Sequence, residues 1–310
     1  MNLSLSKYES KRMSADNNNI ANSVCNIAVL VTCFNRKDKT LNCLQSVFSQ
    51  KGNERFDLTV YLVDDGFDGT AEAVRKQYPD VRIAQGNGSL FWAGGMRKAW
   101  QNAIDSGTRY DFFLLLNDDT ILMDTALSDM INDTNKLAGD KVILVGTTLD
   151  PSTKTRSYGG YKLKNKYNSA SKKLTPNNEF PQLCDLGNAN IMLVPAGVVK
   201  EIGILSDTYT HGMADFDYTL RAKKAGILSY IGSSYAGYCK NDHGNNWWDS
   251  KRHTLKQRID NLYNVKGLAY KEYLAYTKLH FPFYLPQAWL MLWLKTFFPF
   301  LWDKFRKPSH

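Results

Sequence analysis

Residues 112–120 restrict the fold of this 310-residue chain more than any other segment. Five consecutive apolar residues, 112–116, end abruptly in Asn117-Asp118-Asp119-Thr120. A run this short favours a fully buried strand over a helix, although periodicity alone does not exclude the helix. Ligands of open α/β sheets bind where parallel strands end, so the acidic residues mark a candidate site.

Adjacent carboxylates raise each other's pKa unless a positive group neutralises them. A divalent cation held with a nucleotide diphosphate would do so, and oxygen ligands suit Mg²⁺ or Mn²⁺. Asp and Asn also favour turns and helix N-caps. The segment therefore predicts either a metal site at Asp118 and Asp119 or a simple strand-to-turn cap.

Strands and helices alternate along the first 120 residues, which indicates a mostly parallel sheet flanked by helices, with right-handed crossovers. Strands are predicted over residues 27–32, 58–63 and 81–84, and helices over residues 38–50, about 68–77 and 96–105. The second strand ends in Asp64-Asp65-Gly66, at the same edge as Asn117-Asp118-Asp119. Gly66 also fits a plain turn, but two acidic endings in one sheet favour a shared polar site.

A glycine-containing loop, residues 86–97, leads into the third predicted helix. Gly94-Gly95 would let the backbone approach a ligand closely, and a helix N-terminus beside Arg97 favours phosphate. The loop is neither a GxGxxG nor a Walker pattern, so the folds that depend on those patterns are not indicated.

Three later segments carry further candidates. Asp215 is predicted at the start of a helix that runs to about Ala225, as an N-cap or a general base, with Asp217 in the same turn. His243 lies in a polar and aromatic loop and is either exposed or a ligand. Residues 150–182 include seven Lys or Arg residues and predict a surface excursion with little core, either solvated or touching an anionic acceptor.

Composition narrows the class of protein. The chain is 43% apolar, which is ample for a core, and its net charge is +9. Its five cysteines lack a CxxC spacing, so neither a disulfide framework nor a zinc site is expected and a reducing compartment is favoured. Residues 1–24 are polar, lack the apolar stretch of a signal peptide, and predict a flexible tail.

The excess positive charge is concentrated from Lys251 onward, where eleven Lys or Arg residues accompany three Asp or Glu residues. Residues 250–279 have helical periodicity, and Pro286 and Pro299 then bracket twelve mainly apolar and aromatic residues. Twelve residues make about 18 Å of helix, too short for a bilayer of about 30 Å. The segment favours an anionic membrane surface, and an interface with a second copy of the chain or another domain is the alternative. Nucleic-acid binding is not indicated, because the charge follows an amphipathic tail.

Together these motifs resemble the inverting family 2 glycosyltransferases of GT-A fold, in the rhamnosyltransferase- and galactofuranosyltransferase-like branch. The resemblance covers about residues 26–245 and rests on the order and spacing of motifs that are individually weak. These motifs are VTCFNR at 31–36, VDDG at 63–66, the loop 87–97, NDD at 117–119, and DFD at 215–217 with LR at 220–221 and KAG at 224–226.

The resemblance implies a role for each motif. Asp119 would bind Mn²⁺ or Mg²⁺, with His243 as a further ligand, and Asp215 would be the catalytic base. Asp217 remains a rival base, because the family usually has Glu where Ala214 stands. The first position of the metal motif is Asn117 instead of Asp. The residues implied for nucleotide binding are Thr32, Asn35, Arg36, Asp64, Asp65, Gly94, Gly95, Arg97, Asn117 and Asp118.

The resemblance further implies a GT-A domain over residues 25–248, followed by a basic helical extension over residues 249–310. It suggests transfer from a nucleotide sugar to a lipid-linked glycan acceptor in bacterial surface polysaccharide synthesis, at the cytoplasmic face of the plasma membrane. A nucleotidyltransferase is one alternative, but the loop after the first strand lacks the glycines it would need. A non-catalytic nucleotide-sugar-binding or membrane scaffold protein is the other, and Ala214 keeps it open.

Overall fold

Strand β1 (Cys25–Cys33) lies inside the central sheet because its side chains are apolar on both faces. The computed structural model describes residues 24–137, 141–241, 249 and 253–303. In it β1 pairs in parallel with β2 (Phe56–Asp64) and β4 (Phe112–Asn117), and β3 (Arg82–Gln85) pairs in parallel with β2. Alternate β1 residues therefore enter two separate cores, one on each face of the sheet.

The rest of the sheet mixes directions. Strand β11 (Ile191–Pro195) runs antiparallel between β4 and β6 (Val142–Leu149), and β12 (Leu228–Tyr238) is parallel to β6. The short strands β5 (Ile121–Leu122) and β9 (Gln182–Cys184) pair antiparallel with β12. The predicted α/β sheet, mostly parallel and flanked by helices, is confirmed.

Six helices cover the two faces of this sheet. One face packs against α1 (Lys37–Phe48), α2 (Thr70–Gln77) and α4 (Ala126–Lys136). The other packs against α3 (Phe91–Asp105), α5 (Ala196–Ile202) and α6 (Ala214–Lys224).

Residues 150–182 are more ordered than the sequence suggested. Strand β7 (Gly160–Leu163) pairs with β8 (Ser171–Lys173) in a hairpin and with β10 (Leu186–Gly187) in a three-stranded sheet. Tyr158 is buried, and a Cβ on Gly160 would collide with Ile231. The expectation of little core is therefore wrong for the base of this segment, because its small and aromatic residues pack against the main sheet.

The C-terminal segment forms helices α7 (Leu255–Tyr263), α8 (Tyr270–His280), α9 (Leu285–Phe297) and α10 (Phe300–Asp303). The helical stretch predicted up to Leu279 is interrupted between α7 and α8. A Cβ on Gly267 would collide with the Asn261 carbonyl, and Ala269 has φ of 55°. Among the described helices, none combines the length and apolar character needed to cross a membrane.

Candidate active site

The register of the parallel strands brings three of the predicted segments to one edge of the sheet. Thr32 of β1 is paired with Asn117 of β4, and Cys33 is paired with Asp64 of β2. A cavity of about 860 Å³ opens at this edge. Its wall includes Thr32, Arg36, Asp65, Asn117, Asp118, Asp119, Trp92, Asn188, Asp215, Phe216, Lys266, Tyr273 and Tyr276.

Asp118 and Asp119 form an acidic group that shares Arg36, and Lys39 Nζ lies 3.9 Å from Asp119 Oδ2. Arg36 Nη1 lies 2.9 Å from Asp119 Oδ2 and 3.4 Å from Asp118 Oδ1. Asp118 is buried, and its Oδ2 has no hydrogen-bond partner among the described residues. Burial raises the pKa of Asp118 to about 7, with Asp119 adding to the rise and Arg36 opposing it. A second positive charge at Asp118 would therefore be favourable.

These two carboxylates fit a divalent cation that is shared with a diphosphate. The described residues contain no cluster of three or more His, Cys, Asp or Glu that could hold a metal ion. Mg²⁺ in nucleotide sites commonly takes only one or two protein carboxylates, since phosphate oxygens and water complete its coordination. The partnerless oxygen of Asp118 and the adjacent Asp119 meet that requirement. His243, predicted as a further ligand, lies outside the described residues.

The acidic pair after β2 shapes the backbone around the cavity. Asp64 accepts hydrogen bonds from the backbone N–H groups of Gly66 and Ala71, and it does not line the cavity. Asp65 lines the cavity, and its two oxygens accept the N–H groups of residues 87, 88 and 90. Asp64 thus holds the start of α2, and Asp65 holds the glycine-containing loop against the cavity.

Helix α3 begins at Phe91, five residues before the predicted start, so Gly94 and Gly95 lie within its first turns. A Cβ on Gly95 would overlap the side chain of Thr32, so this glycine lets α3 pack closely on β1. Arg97 Nη1 donates to the carbonyls of Ser206 and Tyr209 at 2.7 and 2.8 Å. None of the three lines the cavity, which differs from the phosphate contact expected from the sequence.

Asn35 is exposed and does not line the cavity either. Its side-chain oxygen accepts the Phe67 N–H at 2.8 Å, and its φ of 51° turns the chain between β1 and α1. Asn117 does line the cavity, where its side-chain oxygen accepts the Trp92 indole N–H at 2.7 Å. Trp92 is a cavity residue that the sequence did not single out, because an indole beside a strand end has no local sequence pattern.

Asp215 opens onto the same cavity as Asp119. It sits in the first turn of α6, after Met213 turns the chain with φ of 67°. Its Oδ1 accepts the Phe216 N–H at 2.8 Å, and its Oδ2 lies 3.3 Å from both the Asn188 side-chain nitrogen and the Ala189 nitrogen. Burial raises the pKa of this carboxyl, and these hydrogen bonds only partly oppose the rise. A carboxylate of this kind can accept a proton from a ligand hydroxyl.

Asp217 has a different environment. It is 0% exposed and does not line the cavity. One oxygen lies 2.8 Å from Arg221 Nε, and the other lies 2.8 Å from His280 Nε2 of α8. Burial alone would raise the pKa of Asp217, but hydrogen bonds from His280 and Arg221 lower it overall. Its charge is satisfied inside the protein, so it joins α6 to α8.

The C-terminal segment supplies cavity residues that the sequence did not reveal. Lys266 lies in the loop between α7 and α8, with its Nζ 5.8 Å from the centre of the Phe34 ring. Tyr276 of α8 is buried, and its hydroxyl has no hydrogen-bond partner among the described residues. Gly267 was the available sign that the helix breaks here and turns towards the cavity.

Comparison with known proteins agrees with this geometry. The sequence profile described as Glycosyl transferase family 2 matches residues 28–193. No curated protein sequence matches the chain. A similar solved structure is titled "Crystal structure of GalNAc-T7 with UDP, GalNAc and Mn2+"; it has 12% identity and a TM-score of 0.56.

That similarity covers 71% of this chain and 44% of the GalNAc-T7 chain, so this chain matches less than half of that protein. At 12% identity the likeness establishes the fold, which is GT-A, and nothing about substrates. The family profile covers more than half of the sequence and includes β1, β2, β4 and the acidic strand ends. The chain therefore belongs to glycosyl transferase family 2 and has the GT-A fold.

Proposed function

We propose that this protein is a metal-dependent, inverting glycosyltransferase that moves a sugar from a nucleotide-sugar donor to a hydroxyl of a glycan acceptor. One observation carries the proposal: Asp119 and Asp215, from distant parts of the chain, line a single cavity of about 860 Å³. Such a reaction needs a carboxylate that binds a cation on the donor side and a carboxylate that takes a proton on the acceptor side. Both carboxylates face this cavity.

The donor occupies the sheet-edge side of the cavity in this proposal. Thr32, Asp65 and Asn117 lie where the strand ends would contact a nucleotide. Asp118 and Asp119 would hold Mn²⁺ or Mg²⁺, and the bound ion would stabilise negative charge on the departing diphosphate. Arg36 and Lys266 supply positive charge to the same side. Arg97 does not, since its side chain donates to the Ser206 carbonyl and does not line the cavity.

The acceptor approaches from the α6 side. Asp215 takes the proton of its hydroxyl, and the oxygen forms a bond to the anomeric carbon while the bond from that carbon to the diphosphate oxygen breaks. Because the entering oxygen and the diphosphate are on opposite faces of the sugar, a single displacement inverts the anomeric configuration. The raised pKa of Asp215 makes it a stronger base than an ordinary exposed aspartate.

We assign the chain to the rhamnosyltransferase- and galactofuranosyltransferase-like branch, with residues 25–248 as the transferase domain and residues 249–310 as an extension. The GalNAc-T7 structure was obtained with UDP, GalNAc and Mn²⁺, which supports a nucleotide-sugar donor and a divalent cation here. The acceptor is a lipid-linked glycan of bacterial surface polysaccharide, met at the cytoplasmic face of the membrane through the C-terminal segment.

The test is a donor screen. UDP-, GDP- and dTDP-sugars are incubated with the protein, a panel of p-nitrophenyl glycosides as acceptors, and Mn²⁺, Mg²⁺ or EDTA, and the release of free nucleoside diphosphate is measured. We expect release with one donor class, loss of release in EDTA, and a product with inverted anomeric configuration by NMR. Nucleotide binding without release from any donor would instead support a non-catalytic scaffold, and a retained configuration would exclude the single displacement.

A further inference from the structure

Two elements far apart in sequence meet beside the catalytic cavity. The turn of the β7–β8 hairpin contacts the start of α9, where the Tyr167 hydroxyl donates to Gln287 Oε1 at 2.9 Å and the Tyr167 and Tyr284 rings are 5.4 Å apart. Both elements also contribute to the cavity wall, the hairpin through Tyr161 and Ser171 and the C-terminal segment through Tyr273 and Tyr276. The hairpin and the C-terminal helices therefore border one side of the site together.

The helical part of this border is apolar and exposed. A groove of about 650 Å³ runs between α8 and α9, and Lys278 is the one charged residue in its lining. Trp289 and Leu290 line the groove and are about half exposed, and the nearby Phe283 is 84% exposed. Apolar side chains grouped in this way on a protein surface usually mark a binding surface.

The hairpin part is basic. Lys164, Lys166, Lys172 and Lys173 are all exposed, and no ion pair joins any of the four to another residue in the part of the chain that the structure describes. Across residues 151–182 there is a single acidic residue, Glu179. Such a concentration of unneutralised positive charge attracts an anionic surface.

We propose that the β7–β8 hairpin and the α8–α9 groove form one docking surface for an anionic lipid membrane. The lysines match phosphate headgroups, and the aromatic and aliphatic side chains of α9 enter the boundary between headgroups and acyl chains. An acidic polysaccharide would match the lysines but would leave the apolar groove empty. A second copy of the chain would bring like charges together at the hairpin, which is unfavourable.

This inference rests on the proposed function and extends it by naming the surface that contacts the membrane beside the active site. Because the same two elements build the cavity wall, docking brings the cavity to the membrane surface. A hydroxyl attached to a membrane lipid could then reach Asp215 while the lipid stays in the bilayer.

The test uses the full chain and vesicles, without nucleotide or turnover, so it remains informative even if no donor is ever found. Binding to vesicles of phosphatidylglycerol and phosphatidylcholine is compared with binding to phosphatidylcholine alone by co-sedimentation. We expect binding to the anionic vesicles, weakened at least about tenfold in Lys166→Glu/Lys173→Glu, since each lysine near such a surface is worth about 1 kcal/mol. Phe283→Ser/Trp289→Ser should also weaken it.

Lys76→Glu/Lys200→Glu is the matched control, because it changes the net charge equally on α2 and α5, which supply no residue to the cavity. Its vesicle binding should equal that of the wild type, and circular dichroism checks the fold of every variant. Wild-type affinity in the hairpin variant would overturn the proposal. Binding to dextran sulfate without binding to vesicles would also overturn it. The same holds if vesicles are not bound and sedimentation velocity shows a dimer that Phe283→Ser/Trp289→Ser abolishes.

Discussion

Two clusters of neighbouring carboxylates lie on the two sides of one cavity, and they are neutralised in opposite ways. In the sheet-edge cluster, Arg36 is shared by Asp118 and Asp119, and one oxygen of Asp118 has no partner among the described residues. In the α6 cluster, Asp217 takes both Arg221 and His280.

Asp215 of the α6 cluster has neutral described partners, with the Phe216 N–H at 2.8 Å and the Asn188 and Ala189 nitrogens at 3.3 Å, and it opens to the cavity. Two acidic residues close together in sequence can thus form either a pair whose surface cations, Arg36 and Lys39, leave one buried oxygen without a partner, or a pair in which one member is fully satisfied. The difference teaches that the partners of a carboxylate, and not its sequence spacing, decide whether it binds a cation, accepts a proton or holds the fold. Five predictions test this comparison.

The largest effect is expected for Asp215→Asn. An amide cannot accept the acceptor proton, so kcat should fall about 10³-fold, within the usual range for a lost general base. Nucleoside diphosphate binding, measured by calorimetry, should stay within about twofold because the donor side is untouched. If Asp217→Asn alone abolished turnover at unchanged thermal stability, the two roles would have to be exchanged.

The second prediction concerns stability. Asp217→Asn leaves Arg221 and His280 without their shared anion in a buried place, so the free energy of unfolding should fall by about 3 kcal/mol. Urea unfolding measures this change, and Asp215→Asn is the matched control, with a smaller loss expected. Equal stabilities for the two variants would contradict the distinction between a structural and a functional carboxylate.

The third prediction is that Asp118→Asn stabilises the free protein at pH 8 without divalent cations. The pKa of Asp118 is about 7 in the folded protein and about 4 in the unfolded chain. Below about pH 4 the carboxyl is protonated in both the folded and the unfolded state, so its ionisation adds nothing there to the stability difference between the wild type and Asp118→Asn. Between about pH 4 and 7 only the unfolded chain ionises, so the wild type loses stability relative to the variant as the pH rises.

The difference should reach about 1 to 3 kcal/mol above pH 7, less than the roughly 4 kcal/mol that three pKa units represent, because relaxation and water penetration reduce the cost of a buried charge. Thermal unfolding from pH 4 to 8 measures it. Mn²⁺ with a nucleoside diphosphate should stabilise the wild type more than the variant. A variant that is less stable than the wild type at pH 8 would show that Asp118 is already neutralised.

The smallest effects are expected for the cavity residues of the C-terminal segment. Lys266→Met should weaken nucleoside diphosphate binding about three- to tenfold, because it removes one exposed cation from the sheet-edge side. Lys271→Met is the control, since Lys271 is exposed on α8 and does not line the cavity. Calorimetry should show no change for this control, and equal losses in both variants would indicate a general charge effect.

On the α6 side, Tyr276→Phe removes a hydroxyl that has no described protein partner. We expect the acceptor KM to rise about three- to tenfold, the usual worth of one neutral hydrogen bond, at unchanged nucleoside diphosphate affinity. An unchanged acceptor KM would remove Tyr276 from the acceptor side.

Much of the fold could be predicted from local sequence. The apolar run at residues 112–116 lies in β4, and the helix predicted from about Asp215 to Ala225 is α6 within one residue at each end. Such segments are predictable because a buried strand must be apolar and a helix must repeat its apolar residues with its own period. The start of α3 was less predictable, since Gly94 and Gly95 resemble a loop, whereas both lie in the helix and Gly95 allows close packing against Thr32.

The acidic strand ends, the alternation of strands and helices and the basic, aromatic C-terminal segment were all evident in the sequence, because each is a property of neighbouring residues. Only the tertiary structure placed Asp119 and Asp215 in one cavity, occupied Asp217 and Arg97 with internal partners, and brought Lys266 and Tyr276 into the wall. The physical reason is that a side chain's charge state and role depend on its burial and its partners, and those partners come from residues as much as 120 positions away, as Tyr167 and Gln287 show.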